Sequence, residues 1–185
     1  MLGTRSLSPR VRQYATGEIQ RLADGGRMPD RAAMSTAQVH DFANEPRNLS
    51  VDTFVAAVAR AGDLTDNHML FALVLLRRLT NHCRGAVSDL NVRRLTLVCI
   101  ILATKVLDDQ QFAMGVWTRP SGFTLAQILA MEREALRTLQ WNVNVAPELI
   151  AAELRQARTP VHFRARRPCS DDVVKALVRG PSLVL

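Results

Sequence analysis

The chain has 185 residues, 48% of them hydrophobic, and a formal net charge of +7. That length favours one domain, and no apolar run approaches the ~18 uncharged residues that a membrane-spanning helix needs. The charge is uneven: residues 155–185 hold seven basic against two acidic groups, residues 1–49 seven against five, and residues 50–154 ten of each. A nucleic-acid-binding domain carries its basic excess on the folded core, so the neutral centre argues against DNA or RNA as a partner.

Residues 1–49 are rich in Arg, Ser, Gly and Pro, and Asp24-Gly25-Gly26 and Met28-Pro29-Asp30 interrupt any long helix. Short helices over Thr16–Leu22 and Ser35–Phe42 are expected within mostly flexible chain, neither with a strong apolar face. The start has no secretory apolar core, and Leu2 stands where myristoylation needs glycine. Order begins at Asn48-Leu-Ser50. Ser50 is a suitable N-cap, and Phe54, Val55, Val58 and Ala61 keep helical spacing until Gly62. Thr65 or Asp66 starts the next helix, whose Met69, Leu70, Leu73, Val74, Leu76 and Leu79 predict packing on more than one side. Ser88 or Asn91 starts a third, running to about Leu107. Almost every residue from Leu95 to Ala103 is apolar, which places this helix at the centre.

A loop with one helical turn covers Gln110–Gly122 and holds Trp117 and Pro120. Thr124 caps a further helix with Leu125, Ile128, Leu129, Glu132, Leu136 and Leu139 as an inward stripe containing one polar exception. Pro147 opens a helix through about Arg155. No segment alternates as a strand would. Beyond Arg155 the chain turns basic, with a terminal helix over Asp171–Val178 as the one element expected there. Cysteines 83, 99 and 169 lack paired metal spacing, and their odd number fits a reducing compartment, cytoplasm or nucleus. Cys99 falls in the apolar helix and reads as a buried thiol.

Two charged residues stand out against these apolar helices. Lys105 lies near the end of the third helix, where a cation complements the helix dipole by ~0.3–1 kcal/mol. The chain writes 22 of its 24 basic residues as Arg, so a compact ammonium with three donors is used sparingly here. Glu132 interrupts its stripe, and Leu136 one turn on offers it no ion pair. Asp108 and Asp109 follow Lys105. Paired carboxylates can serve acid–base chemistry or a metal, yet no third ligand, His cluster or Gly-rich phosphate loop accompanies them. No catalytic residue, metal site or cofactor is therefore assigned, and the chain is not expected to be an enzyme. Ser8-Pro9 and Thr159-Pro160 are minimal proline-directed phosphorylation motifs, and Arg167-Pro-Cys-Ser170 is a minimal basophilic one.

A long apolar helix ending in Lys105-Val-Leu-Asp108-Asp109, an aromatic-containing linker, then a helix carrying Glu132 and ending in Trp141-Asn142-Val-Asn144-Val145 resembles the cyclin box. The likeness covers roughly residues 50–155 and is to the cyclin Y and Pho80-like group within that family. It implies an all-α fold: a single five-helix cyclin box at 50–155, with a flexible N-terminal extension at 1–49 and a basic C-terminal tail at 156–185. The second helical repeat of the larger cyclins would be missing. It also implies a regulatory subunit that binds and activates a cyclin-dependent serine/threonine protein kinase. That partner would be of the PFTAIRE/PCTAIRE-like or Pho85-like class, with the chain monomeric apart from the kinase.

Under this resemblance Lys105 matches a lysine that donates to a backbone carbonyl just before the kinase's regulatory helix. Glu132 is similar to a glutamate that accepts from N–H groups of the same segment. Asp108 and Asp109 would stand on the kinase-facing rim, or form a solvated helix end. Trp117 and Trp141 read as core, Trp141 matching the aromatic that ends the family's fifth helix, and Arg78 matches an arginine that is structural. Phe54-Val-Ala-Ala-Val-Ala-Arg60 lacks the sequence that forms the substrate-docking patch of cell-cycle cyclins, so recruitment through Arg-x-Leu motifs is not expected. The alternatives are a transcription-factor-type cyclin fold binding DNA or a polymerase assembly, and a helical scaffold that activates no kinase.

Overall fold

The computed structural model describes residues 6–25, 50–82, 87, 91–109 and 113–159, and among them the chain is all-α with no strand. The helices run α1 (Pro9–Gly25), α2 (Val51–Ala61), α3 (Asp66–His82), α4 (Val92–Leu107), α5 (Leu125–Thr138) and α6 (Pro147–Arg158). A short helical turn, Met114–Trp117 continuing into Thr118–Ser121, joins α4 to α5. The helices expected at Ser35–Phe42 and Asp171–Val178, the start at Ser88, the motif at Arg167–Ser170, and Cys83 and Cys169 lie outside the described residues.

The apolar run of α4 makes it the axis of the fold. Every residue from Arg94 to Thr104 is buried, because α3 packs along one side and α5 along another. Burial at Cys99 is complete and pushes its thiol well above the ordinary range, as a structural cysteine requires. Helix starts are fixed as the spacing predicts. Ser50 Oγ accepts from the Thr53 N–H at 3.1 Å. Thr124 and Gln127 form a reciprocal capping box, with the Gln127 N–H donating to Thr124 Oγ1 at 3.2 Å and the Thr124 N–H to Gln127 Oε1 at 2.9 Å. Trp117 is buried in the short turn, where its ring lies against Gly62 at the end of α2. A Cβ on Gly62 would sit 2.6 Å from Trp117 Cζ3, so the close approach of ring and backbone needs a glycine there. Gly122 ends the turn with a left-handed φ of 76°.

The stretch before residue 50 departs from the expectation of flexible chain with a short helix at Thr16–Leu22. Helix α1 spans 17 residues and buries Val11, Tyr14, Ala15, Ile19 and Ala23 against α2, α3 and α6. These positions do keep helical spacing, but alanine fills two of the five, so the apolar signal is faint. A polar network supplies what the small side chains lack. The Tyr14 hydroxyl donates to Glu153 Oε2 at 2.6 Å. Arg77 on α3 bonds the other oxygen of Glu153 on α6, and its Nη2 reaches Glu18 Oε2 on α1 at 2.9 Å. Burial, then the bond to Glu153, pushes Tyr14 far above its usual phenol range. For Arg77 burial opposes the charge, yet Glu153 and Tyr14 outweigh it and the guanidinium is held more firmly protonated.

Trp141 is a second departure. The sequence reads it as core alongside Trp117, but it is 69% exposed. Leu139 closes the buried stripe of α5, and then Gln140 (φ 51°) and Trp141 (φ 60°) turn the chain through the left-handed region. Trp141 is swung out by that turn. Asn144 lies just beyond, and its carbonyl accepts from Arg78 Nη1 at 2.6 Å, a structural role for Arg78 as expected.

Candidate functional site

Lys105 occupies the last turn of α4, two residues from its end, and Glu132 lies midway along α5. Where the two helices pack, Lys105 Nζ donates to Glu132 Oε1. Glu132, buried at 8% exposure, therefore has an ionic partner across the helix pair that its own helix does not supply. The two residues do not stand outward as separate groups. Lys105 keeps 30% of its side chain exposed, against 11% for Glu132. An ammonium has three donors and a carboxylate several acceptor positions, so one bond between them leaves capacity on both for a docking backbone.

The two aspartates separate in role. Asp108 is the C-cap of α4, its N–H donating to the Thr104 carbonyl at 2.9 Å. Its Oδ1 lies 2.9 Å from Nε2 of the buried His68, in the first turn of α3. His68 Nδ1 accepts from the Thr65 N–H at 3.0 Å, which leaves Nε2 to carry the proton and donate to Asp108. One imidazole thus closes the start of α3 and orients the end of α4 beside Lys105. Asp109 is exposed one residue further on. Among the described residues no group of His, Cys, Asp or Glu is arranged to hold a metal.

The two helices that carry the pair also carry most of the exposed large apolar residues. Val106, Leu107, Leu125 and Leu129 are 40–45% exposed, four of the five large hydrophobics exposed among the described residues, the other being Trp141. Leu125, Leu129 and Glu132 share one face of α5 at i, i+4 and i+7, and Val106 and Leu107 follow Lys105 directly. The expectation that Leu125 and Leu129 point inward is corrected here. The buried residues of α5 are Ile128, Met131, Glu132 and Ala135, so the apolar arc is wider than the core can cover. Isolated exposed apolar residues are ordinary, whereas four on two packed helices make a candidate surface for another protein.

The family model described as "Cyclin, N-terminal domain" matches residues 19–144, well over half of the chain. The chain belongs to the cyclin family. Among curated proteins this cyclin is 25% identical over 103 residues to Cyclin-U3-1 of Arabidopsis thaliana, an alignment covering 56% of the chain and 47% of that protein. It is 20% identical over 149 residues to Cyclin-U4-1 of the same plant, covering 80% and 74%. It is 22% identical over 131 residues to Cyclin-P2-1 of Oryza sativa subsp. japonica, covering 71% and 60%. The chain thus spans about half the length of Cyclin-U3-1 and somewhat more of the other two. The match from residue 19 takes in the last two turns of α1, in keeping with the packing of that helix on the box. Cyclins are regulators without chemistry of their own. Among the described residues no helix is long and apolar enough to cross a membrane.

Proposed function

We propose that this cyclin is the regulatory subunit of a cyclin-dependent serine/threonine kinase, docking through the joined ends of α4 and α5. The observation that carries the reading is the Lys105–Glu132 pair joining two helices that also carry four exposed hydrophobics. Val106, Leu107, Leu125 and Leu129 cover apolar surface of the kinase. The remaining donors of Lys105 and acceptors of Glu132 hold backbone groups at the start of its regulatory helix. Asp108 keeps the end of α4 in place through His68, and Asp109 stands on the rim. The kinase is of the PFTAIRE/PCTAIRE-like or Pho85-like class, and the complex works in cytoplasm or nucleus.

Activation is a shift of the kinase toward the conformation with its regulatory helix held inward. Taking a kinase from 1% to 99% active needs ~5.5 kcal/mol of differential binding. Burying the exposed two-fifths of four aliphatic side chains contributes roughly 2–5 kcal/mol before any ordering cost, from ~1.5–3 kcal/mol for a full side chain. The apolar patch therefore falls short by itself, and the charged pair has to supply the rest.

The test is capture of the tagged protein from its own cells beside a Lys105→Glu/Glu132→Lys swap, with identification of bound proteins and a kinase assay. The swap keeps an ion pair between α4 and α5 while reversing the polarity offered to a partner. A cyclin-dependent kinase recovered with the wild type and lost with the swap supports the proposal. No kinase with either protein, or equal recovery with both, refutes it.

A further inference from the structure

Ser8 fastens the start of helix α1 to helix α3. Ser8 immediately precedes Pro9, the first residue of α1, and its Oγ lies 3.4 Å from the Val11 N–H as a cap. Asp66, the first residue of α3, takes hold of Ser8 twice. The Ser8 N–H donates to Oδ1 at 2.7 Å and the Ser8 hydroxyl to Oδ2 at 3.0 Å. The second bond requires a hydrogen on Oγ, and in both the two carboxylate oxygens of Asp66 accept from an uncharged serine. Ser8 is half-buried, while Pro9 and Arg10 are exposed, so the Ser-Pro dipeptide lies at the surface of a helix end, where opening is least costly.

We propose that Ser8 is a phosphorylation site for a proline-directed protein kinase, and that phosphate there releases α1 from α3. The γ-phosphoryl group passes from ATP to Ser8 Oγ. The bond between that phosphorus and the β,γ-bridging oxygen breaks, the Oγ–P bond forms, the hydroxyl proton goes to the base of the kinase, and ADP leaves. The product carries about −1.5 to −2 charge and has no hydrogen on Oγ. Its Asp66 bond is lost, and a dianion faces a carboxylate at hydrogen-bonding distance. Negative charge at a helix start favours the helix itself, so α1 keeps its helical form and gives up its docking. Arg12, one turn along α1 from Ser8, is already paired with Asp52 at 3.4 Å, and Arg10 is exposed to solvent. Undocking would uncover Val11, Tyr14, Ala15 and Ile19 and take Tyr14 and Glu18 away from Arg77 and Glu153.

The experiment treats the purified full chain, carrying Thr159→Ala to remove the second motif, with ATP and a purified proline-directed kinase. Peptide mapping locates the phosphate, and hydrogen exchange follows Pro9–Gly25. The expected result is phosphate on Ser8 and at least tenfold faster exchange along α1. Asp66→Asn in the same background should remove most of that acceleration, because a neutral amide can donate to the phosphate. Three results would overturn the proposal. One is no phosphate on Ser8 when a peptide of residues 1–16 is modified by the same kinase. Another is a phosphorylated protein whose α1 exchange is unchanged. The last is equal acceleration in Asp66→Asn, which would remove charge repulsion as the cause.

Discussion

Adjacent residues on α5 should respond in opposite ways if one of its faces serves the core and the other a partner. Ile128 is fully buried, and Ile128→Ala removes three methyl or methylene carbons from a packed interior. Such a change costs ~2–5 kcal/mol, cavity included. With ~2–4 °C of Tm per kcal/mol for a chain of this size, the fall should be at least about 4 °C. Leu129 is already two-fifths exposed, so Leu129→Ala leaves no closed cavity and should cost less than half as much stability. Its effect belongs in binding. The exposed two-fifths of Leu125 and of Leu129 are each worth ~0.6–1.2 kcal/mol when covered, from ~1.5–3 kcal/mol for a whole side chain. Leu125→Ala/Leu129→Ala together should therefore weaken the kinase complex by about 8- to 60-fold, at ~1.4 kcal/mol per factor of ten. Circular-dichroism melts and titration against the captured kinase read the two effects separately. A stable Ile128→Ala with a crippled Leu129→Ala fold would mean the faces are assigned the wrong way round. Unchanged affinity in the double variant would remove α5 from the interface.

Gly62→Ala should destabilise the protein by well over 1 kcal/mol, since its Cβ meets the Trp117 ring. Adding Trp117→Leu should recover part of that loss, as urea unfolding of the four proteins of the cycle would show. Arg77→Met should cost ~3 kcal/mol or more by leaving Glu153 buried without its ionic partner, and should loosen α1 and α6 together in hydrogen exchange. Tyr14 ionises at higher pH in the folded protein than in the unfolded chain. Its contribution is therefore intact below the unfolded value of about 10 and is lost as pH rises above it. Stability should fall from about pH 10 upward, and Tyr14→Phe should lessen that slope while lowering stability at pH 7 by ~1 kcal/mol for the missing hydrogen bond. Cys99 should resist thiol reagents in the native state and react only on unfolding, checked by mass mapping of the labelled peptide.

The long helices were legible because their signals are redundant. From Leu95 to Ala103 the chain has no polar face to turn outward except Thr96, and a helix of that kind belongs at a centre. Ser50 and Thr124 announced their helices by type and position, and both side chains make the expected caps. Helix α1 was read too short because its buried face is built from Ala15, Ala23 and single larger residues. Its docking rests on Tyr14, Glu18, Arg77 and Glu153, drawn from three helices, and no spacing within one helix encodes a contact of that range. His68 left a local trace, since Thr65-x-x-His68 has the spacing of a capping box with imidazole in place of Glu or Gln. Its second bond, to Asp108 forty residues away, left none.

The proposed binding face was hidden for a more general reason. An apolar residue that meets a partner and one that meets the core look alike in a sequence, because both lose water to apolar contact. On α5 the stripe from Leu125 to Leu139 could be read as one surface, whereas its residues divide between α4 and the solvent-facing side. Only the width of the arc hinted at two tasks, since Leu125 and Leu129 exceed what one neighbouring helix can cover. Glu132 sits at the seam of these two surfaces, buried enough to be held by Lys105 and next to the apolar residues left uncovered. That position explains why a carboxylate is tolerated in an apolar stripe. Packing against α4 fixes its direction, and the partly exposed ammonium beside it holds one of its oxygens, so in the proposed interface the pair is already oriented. Little further ordering is then needed on docking, which is where a few hydrogen bonds gain their leverage over binding.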